Sequence, residues 1–191
     1  MIRLSLICSG ITEAMKRGAF ARSDDNVLEP HSIKLADTLK PRITANAKAL
    51  SAIDPRARIT ADLLGLSVKL HAALDDQDFG AWAGKSLADI ESNSPAALAA
   101  WITDPTFAPK GGESITAVAA RVEQFLGEME KRTGHMIAVT HSAIIRCAVL
   151  QVLGAPLGGF WRVDAAPLTV TDLRHDGRRW ALRAHGAGEV D

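Results

Sequence analysis

The first apolar run, Ile2 to Cys8, alternates poorly and is bounded by Gly10, so it reads as a short strand buried on both faces. A second run of this kind, Met136 to Thr140, follows Gly134 and leads into His141, Ser142 and an apolar helical pattern through Leu153. Between the two the pattern is mostly helical. Ile33, Leu35, Ala36 and Leu39 share one predicted helix, and Ile59, Ala61, Leu63 and Leu64 share another, with Pro55 in its first turn. Alanine-rich Asn46 to Ser51 fits a weak strand or a helix extension; periodicity does not separate the two, and the segment is assigned as strand. Leu74 to Trp101 carries Gly80, Gly84 and Pro95, which predicts an irregular excursion over the sheet edge with short helices, a kind of segment in which function often sits. Glu113 to Lys131 is the clearest amphipathic helix, with Val118, Ala119, Val122, Phe125, Leu126 and Met129 on its inner side. Leu168 to Leu173 and Trp180 to Leu182 flank Asp176-Gly177 and predict a terminal hairpin.

Short apolar strands alternating with amphipathic helices predict an α/β protein, a three-layer α/β/α sandwich around a mostly parallel sheet. No internal repeat, low-complexity tract or linker interrupts residues 1–191, and that length suffices for one domain with a substantial core. Lysine plus arginine equals aspartate plus glutamate, 22 each, so no overall field recruits nucleic acid or an anionic membrane, and any phosphate recognition must be local. The apolar stretch Ala143 to Leu153 is broken by Arg146 and Gln151, which argues against a membrane span. The run Leu4 to Cys8 is shorter than a signal peptide's apolar region and lacks a cleavage pattern, so the expected location is the cytoplasm. Two cysteines, Cys8 and Cys147, make neither a disulfide framework nor a metal-spaced cluster, and no metal or other cofactor is expected.

Both apolar strands end at a polar residue, Ser9 or His141. In an open α/β sheet, ligands sit beyond the carboxyl ends of the strands, where helices begin and free backbone donors attract anions, so both residues are candidate pocket positions. Taken singly each has a plainer reading: Ser9 as a turn or cap residue, Arg56 as an ion-paired side chain, His141 as a satisfied structural histidine, Phe79 and Trp82 as packing residues. Cys8 invites a thiolate nucleophile, but the cysteine type of phosphatase needs an arginine six residues on, where Ala14 stands; its plainer reading is a small apolar filler.

Five pieces in order resemble the histidine phosphatase superfamily, which includes the cofactor-dependent phosphoglycerate mutases. Leu4-Ser-Leu-Ile-Cys8-Ser9-Gly10-Ile11-Thr12-Glu13 stands where that family has a strand running into Arg-His-Gly-Glu-Thr, with the histidine as nucleophile. Ser51-Ala-Ile-Asp-Pro-Arg56-Ala-Arg-Ile-Thr60-Ala61 matches Ser-x-x-x-x-Arg-Ala-x-Gln-Thr-Ala, whose arginine clamps the transferred phosphoryl group. Leu74-Asp-Asp76-Gln-Asp-Phe79-Gly80-Ala-Trp82-Ala-Gly84 is similar to Leu-x-Glu-x-x-Phe-Gly-x-Trp-Glu-Gly, in which the glutamate donates the proton. Gly112-Glu113-Ser114 with Arg121 resembles a Gly-Glu-Ser helix start, and Val139-Thr140-His141-Ser-Ala-Ile-Ile-Arg146 resembles Val-x-His-Gly-Gly-x-Ile-Arg, placing His141 at the second catalytic histidine.

The resemblance implies a phosphoglycerate mutase-like fold and an anion site. In the family's scheme an imidazole attacks phosphorus, water hydrolyses the phosphohistidine, arginines and the second histidine neutralise the phosphoryl oxygens, and an acid protonates the departing alkoxide. Arg56 and His141 then bind phosphate, and His141 and Asp76 take the catalytic positions. Ser9 occupies the nucleophile position, Cys8 that of its neighbouring arginine and Met15 that of a downstream asparagine. A serine hydroxyl needs a base or metal to act as nucleophile, and a phosphoserine ester hydrolyses far less readily than a phosphohistidine. The expectation is a degenerate member without phosphohistidine catalysis, binding a phosphorylated or anionic small molecule or a protein partner. The alternative is an active phosphomonoesterase with a non-standard nucleophile.

Overall fold

The computed structural model describes residues 1–43 and 47–187. One sheet holds β1 (Ile2–Cys8), β2 (Lys48–Ser51), β3 (Val68–Leu70), β4 (Gly134–Thr140), β5 (Val170–His175) and β6 (Trp180–Ala187) in the spatial order β3-β2-β4-β1-β5-β6. β1, β4, β2 and β3 run parallel, whereas β5 is antiparallel to β1 and β6 antiparallel to β5. Parallel neighbours need long crossovers. These carry α1 (Glu13–Lys16), α2 (Pro30–Leu39), α3 (Pro55–Leu63), α4 (Leu87–Asn93), α5 (Pro95–Thr103) and α6 (Ile115–Glu130), with α7 (Ser142–Val152) following β4. α2 packs on α3 and α6 on α7, giving helical layers around the sheet. The strands β1 and β4, shielded on both faces, are buried over nearly their whole length.

Local chemistry accounts for the helix starts. Ser114 caps α6 by accepting from the Ala117 N–H, and Val118, Val122, Phe125 and Met129 then follow at helical spacing and are buried. Burying each such side chain contributes roughly 1.5–3 kcal/mol. On two helices polar residues join the predicted apolar ones on the inner face. Ser32, Ala36 and Leu39 face inward on α2 while Ile33 is exposed, and α3 buries Arg56, Ala57, Thr60 and Ala61 rather than Ile59 and Leu63. The reason lies in the loop after β1, whose amides need polar partners: the Gly10 N–H donates to Thr60 Oγ1 and the Ile11 N–H to Ser32 Oγ.

The strand assigned to Asn46–Ser51 is present as Lys48–Ser51; Asn46 lies outside the described residues. β3, three residues at the sheet edge, is too short for a hydrophobic pattern to reveal it. The terminal hairpin forms, although Leu168 adopts a positive φ of 59° and β5 starts after it, while β6 continues to Ala187. Phe20 joins Trp82, Ile90, Leu98 and Trp101 of the excursion in a second apolar cluster, with Phe79 packed against it, so Trp82 is a packing residue and Phe79 packs on one side. Gly80 joins this cluster to the start of α6. Its φ is +48°, and a Cβ there would lie 2.4 Å from the Lys110 carbonyl oxygen. Among the described residues no helix is long and apolar enough to cross a membrane.

Candidate functional site

The parallel register sets Cys8 opposite Thr140, so the chain leaves β1 and β4 side by side, and the Ser9 N–H donates to the Thr140 carbonyl at 2.7 Å. The next residues therefore meet. Ser9 Oγ lies 3.0 Å from His141 Nδ1, and both residues are 2% exposed. Gly10 follows, and a Cβ there would press on the Leu28 side chain at 2.8 Å.

Arg56 arrives from the turn between β2 and α3. Asp54 caps α3, its Oδ1 accepting from the Ala57 N–H at 3.1 Å, and its Oδ2 accepts from Arg56 Nη2 at 2.9 Å. The same oxygen stands 3.0 Å from His141 Nε2. That nitrogen has no aligned hydrogen bond, so the carboxylate acts on the ring chiefly as a charge. Arg56 Nη2 also donates to Asp76 Oδ2 at 3.0 Å, and Nη1 to Met15 Sδ at 3.2 Å. Asp76 is held through its backbone: Arg121 Nη2 donates to the Asp76 carbonyl and Nη1 to that of Ala73, while Glu113 pairs with the same guanidinium. Glu113 and Arg121 thus brace the loop that carries Asp76.

Ser9, Arg56, Asp76 and His141, spread over 133 residues of chain, line one cleft of about 290 Å³ at the carboxyl ends of the parallel strands. An adjoining cleft of about 370 Å³ shares Arg56 and Asp76 and adds Asp54, Arg22 and Asp78. The first cleft also contains Arg146, whose guanidinium sits 5.3 Å from the ring centres of both Phe160 and Trp161, and Asp164. Burial works to raise the Asp54 pKa, but the charge and contact of His141 and the charge of Arg56 prevail, holding this carboxyl well below the usual range. Burial, reinforced by Asp76, pushes the Cys8 thiol up to about 12, so Cys8 is uncharged at neutral pH and packs as an apolar filler. In the first cleft Arg56 and Arg146 face Asp76 and Asp164, two charges of each sign, while Asp54, Asp75 and Asp78 with Arg22 line the adjoining cleft. Among the described residues no group of three or more histidine, cysteine or acidic side chains could hold a metal ion.

Asp54, Arg146 and Asp164 were not legible as site residues. An Asp-Pro pair before a helix signals a cap, and Oδ1 of Asp54 satisfies that reading; nothing local indicates where Oδ2 points. The contact of the Met15 sulfur with Arg56 is likewise tertiary.

The model of the histidine phosphatase superfamily (branch 1) matches residues 4–187. An adenosylcobalamin/alpha-ribazole phosphatase from Salmonella typhimurium is 28% identical over 183 residues, 90% of this chain and 91% of that protein. The solved structure of the mycobacterial glucosyl-3-phosphoglycerate phosphatase, complexed with VO3, superposes with a TM-score of 0.82 at 26% identity, over 97% of this chain and 98% of that one. The alpha-ribazole phosphatase of Shigella flexneri shares the fold, with a TM-score of 0.87 at 22% identity and coverage of 99% and 98%. With the family model matching residues 4–187, nearly its whole length, the chain belongs to the histidine phosphatase superfamily.

Proposed function

We propose that the cleft binds a phosphorylated or otherwise anionic small molecule and does not carry out phosphohistidine chemistry. The observation that carries this reading is Ser9 at the end of β1, beside His141 and in one cleft with Arg56, where the family's motif has the nucleophilic imidazole. Arg56, Arg146 and the N-terminus of α7, whose first turn has no side-chain cap, attract an anion. Relatives named as phosphatases of alpha-ribazole and glucosyl-3-phosphoglycerate support a phosphorylated small molecule as the ligand class.

Arg56 is shared by two carboxylates, so an arriving anion competes with Asp76 for it. Sulfate keeps its charge between pH 5 and 8, which makes it the cleaner probe. Calorimetric titration is expected to show sulfate binding that disappears in Arg56→Ala. p-Nitrophenyl phosphate is expected to show no turnover above a Ser9→Ala control. Turnover accompanied by acid-labile phosphate on a histidine would overturn the proposal. The second reading, a phosphomonoesterase using Ser9, is favoured by the 3.0 Å approach of its hydroxyl to His141, and predicts acid-stable phosphoserine instead.

A further inference from the structure

In a serine relay a base takes the hydroxyl proton, and a carboxylate beside that base biases its tautomer. Both companions are present. Ser9 Oγ is 3.0 Å from Nδ1 of His141, and the opposite ring nitrogen, Nε2, is 3.0 Å from Asp54 Oδ2. Asp54 is itself immobilised by the helix cap and by Arg56. Its negative charge beside Nε2 favours the tautomer with the proton on that nitrogen, leaving Nδ1 free to accept from Ser9.

The rest of the cleft selects the electrophile. An uncharged carbonyl carbon at Ser9 needs no cation to balance it, whereas a phosphate dianion there must compete with Asp76 for Arg56. A seryl phosphate would also persist, whereas a seryl carboxylic ester is hydrolysed by the same base acting on water. The uncapped first turn of α7, beginning at Ser142 in the cleft wall, offers backbone N–H groups to a developing oxyanion, with Arg146 one turn further on.

From this geometry we infer that Ser9, His141 and Asp54 form a nucleophilic relay that transfers the acyl group of a small carboxylic ester to Ser9 and then to water. Ser9 Oγ bonds to the carbonyl carbon while its proton passes to His141 Nδ1. The tetrahedral centre collapses, the C–O bond to the alcohol breaks, and the departing alkoxide takes the proton from Nδ1. Water then adds to the acyl carbon, giving its proton to Nδ1; on collapse the acid leaves and Ser9 recovers the proton. His141 and Ser9 are the catalytic residues, and Asp54 is a positioning residue. This goes beyond the anion-binding reading and does not require it.

The test uses the full chain with a fluorophosphonate probe, mapping the label by mass spectrometry, alongside p-nitrophenyl acetate and p-nitrophenyl phosphate. Expected are a label on Ser9, release of p-nitrophenol from the acetate, and loss of both in Ser9→Ala. Asp54→Asn keeps the cap on α3 and removes only the charge. It is expected to lower the maximal labelling rate about 10²-fold with the probe's half-saturating concentration unchanged, a split that a merely structural role would not produce. An unlabelled Ser9 in folded protein overturns the relay, as does labelling indifferent to Asp54→Asn. Phosphoserine formed from p-nitrophenyl phosphate overturns the assignment to acyl groups. An unreactive Ser9 with sulfate binding intact sinks this inference alone, and a reactive Ser9 without sulfate binding sinks the anion-binding reading alone.

Discussion

Asp54 and Arg56 are two residues apart across Pro55, and their side chains meet again at 2.9 Å inside the cleft. Through this pair the start of α3 carries a cap, a buried cation and the partner of His141. The arginine is also shared with Asp76, at 3.0 Å.

Removing that cation is costly. Arg56→Ala leaves the Asp54 and Asp76 carboxylates, with side chains only 11% and 15% exposed, without the guanidinium between them. Breaking a buried ion pair from one side costs about 3–5 kcal/mol, which urea denaturation at pH 7 will show as a lowered midpoint. A midpoint equal to that of the native chain would mean that the pair is solvated.

Asp54 also predicts a pH dependence. A carboxyl whose folded pKa is depressed adds stability that is present above its unfolded value of about 3.9 and is lost as pH falls through the folded value. The stability difference between the native chain and Asp54→Asn is therefore largest near neutral pH and shrinks below about pH 4. Urea titrations of both proteins at pH 7 and pH 3 check this, and a difference that grows in acid would reverse the sign.

Restoring the family's loop is a third test. Ser9→His with Cys8→Arg, plus Met15→Asn to free Arg56 Nη1, rebuilds an imidazole beside a cationic clamp. A small gain of acid-labile phosphoryl label is expected, because reactive geometry must be held to about 0.5 Å and Cys8 is now packed against the Ala165 carbonyl. A folded variant that binds sulfate yet takes no label would show that Asp76 or the wider cleft has diverged as well.

Two glycines are expected to respond with opposite signs. Gly80→Ala meets backbone atoms of Lys110, Gly111 and Gly112 at 2.4–2.6 Å with φ at +48°, and is expected to destabilise by about 2–4 kcal/mol. Gly127→Ala, within α6 and with nothing inside 4 Å of the added Cβ, is expected to stabilise by about 0.5–1 kcal/mol. Thermal unfolding distinguishes the two.

The strands β1 and β4, the helix α6 and the closing hairpin are legible from local pattern because each is set by its own sequence: an apolar run with a glycine stop, a helical apolar stripe after a serine cap, a turn at Asp176-Gly177. The inner faces of α2 and α3 are legible only in their apolar members, since the polar ones, Ser32 and Thr60, are drawn inward by amides of a loop distant in sequence. β3 has too few residues to carry a pattern.

At the site, the amino-acid order alone determined that two apolar strands end in Ser9 and His141 and that an arginine opens a helix after β2. Tertiary structure decided what those groups do to one another. The parallel register of β1 on β4 brings Ser9 Oγ to His141 Nδ1, and the crossover through β2 then places Asp54 Oδ2 between His141 and Arg56. A side chain's charge and hydrogen-bonding capacity are written in its residue type, but their energies depend on distance and on exclusion of water, and both exist only once the strands have paired.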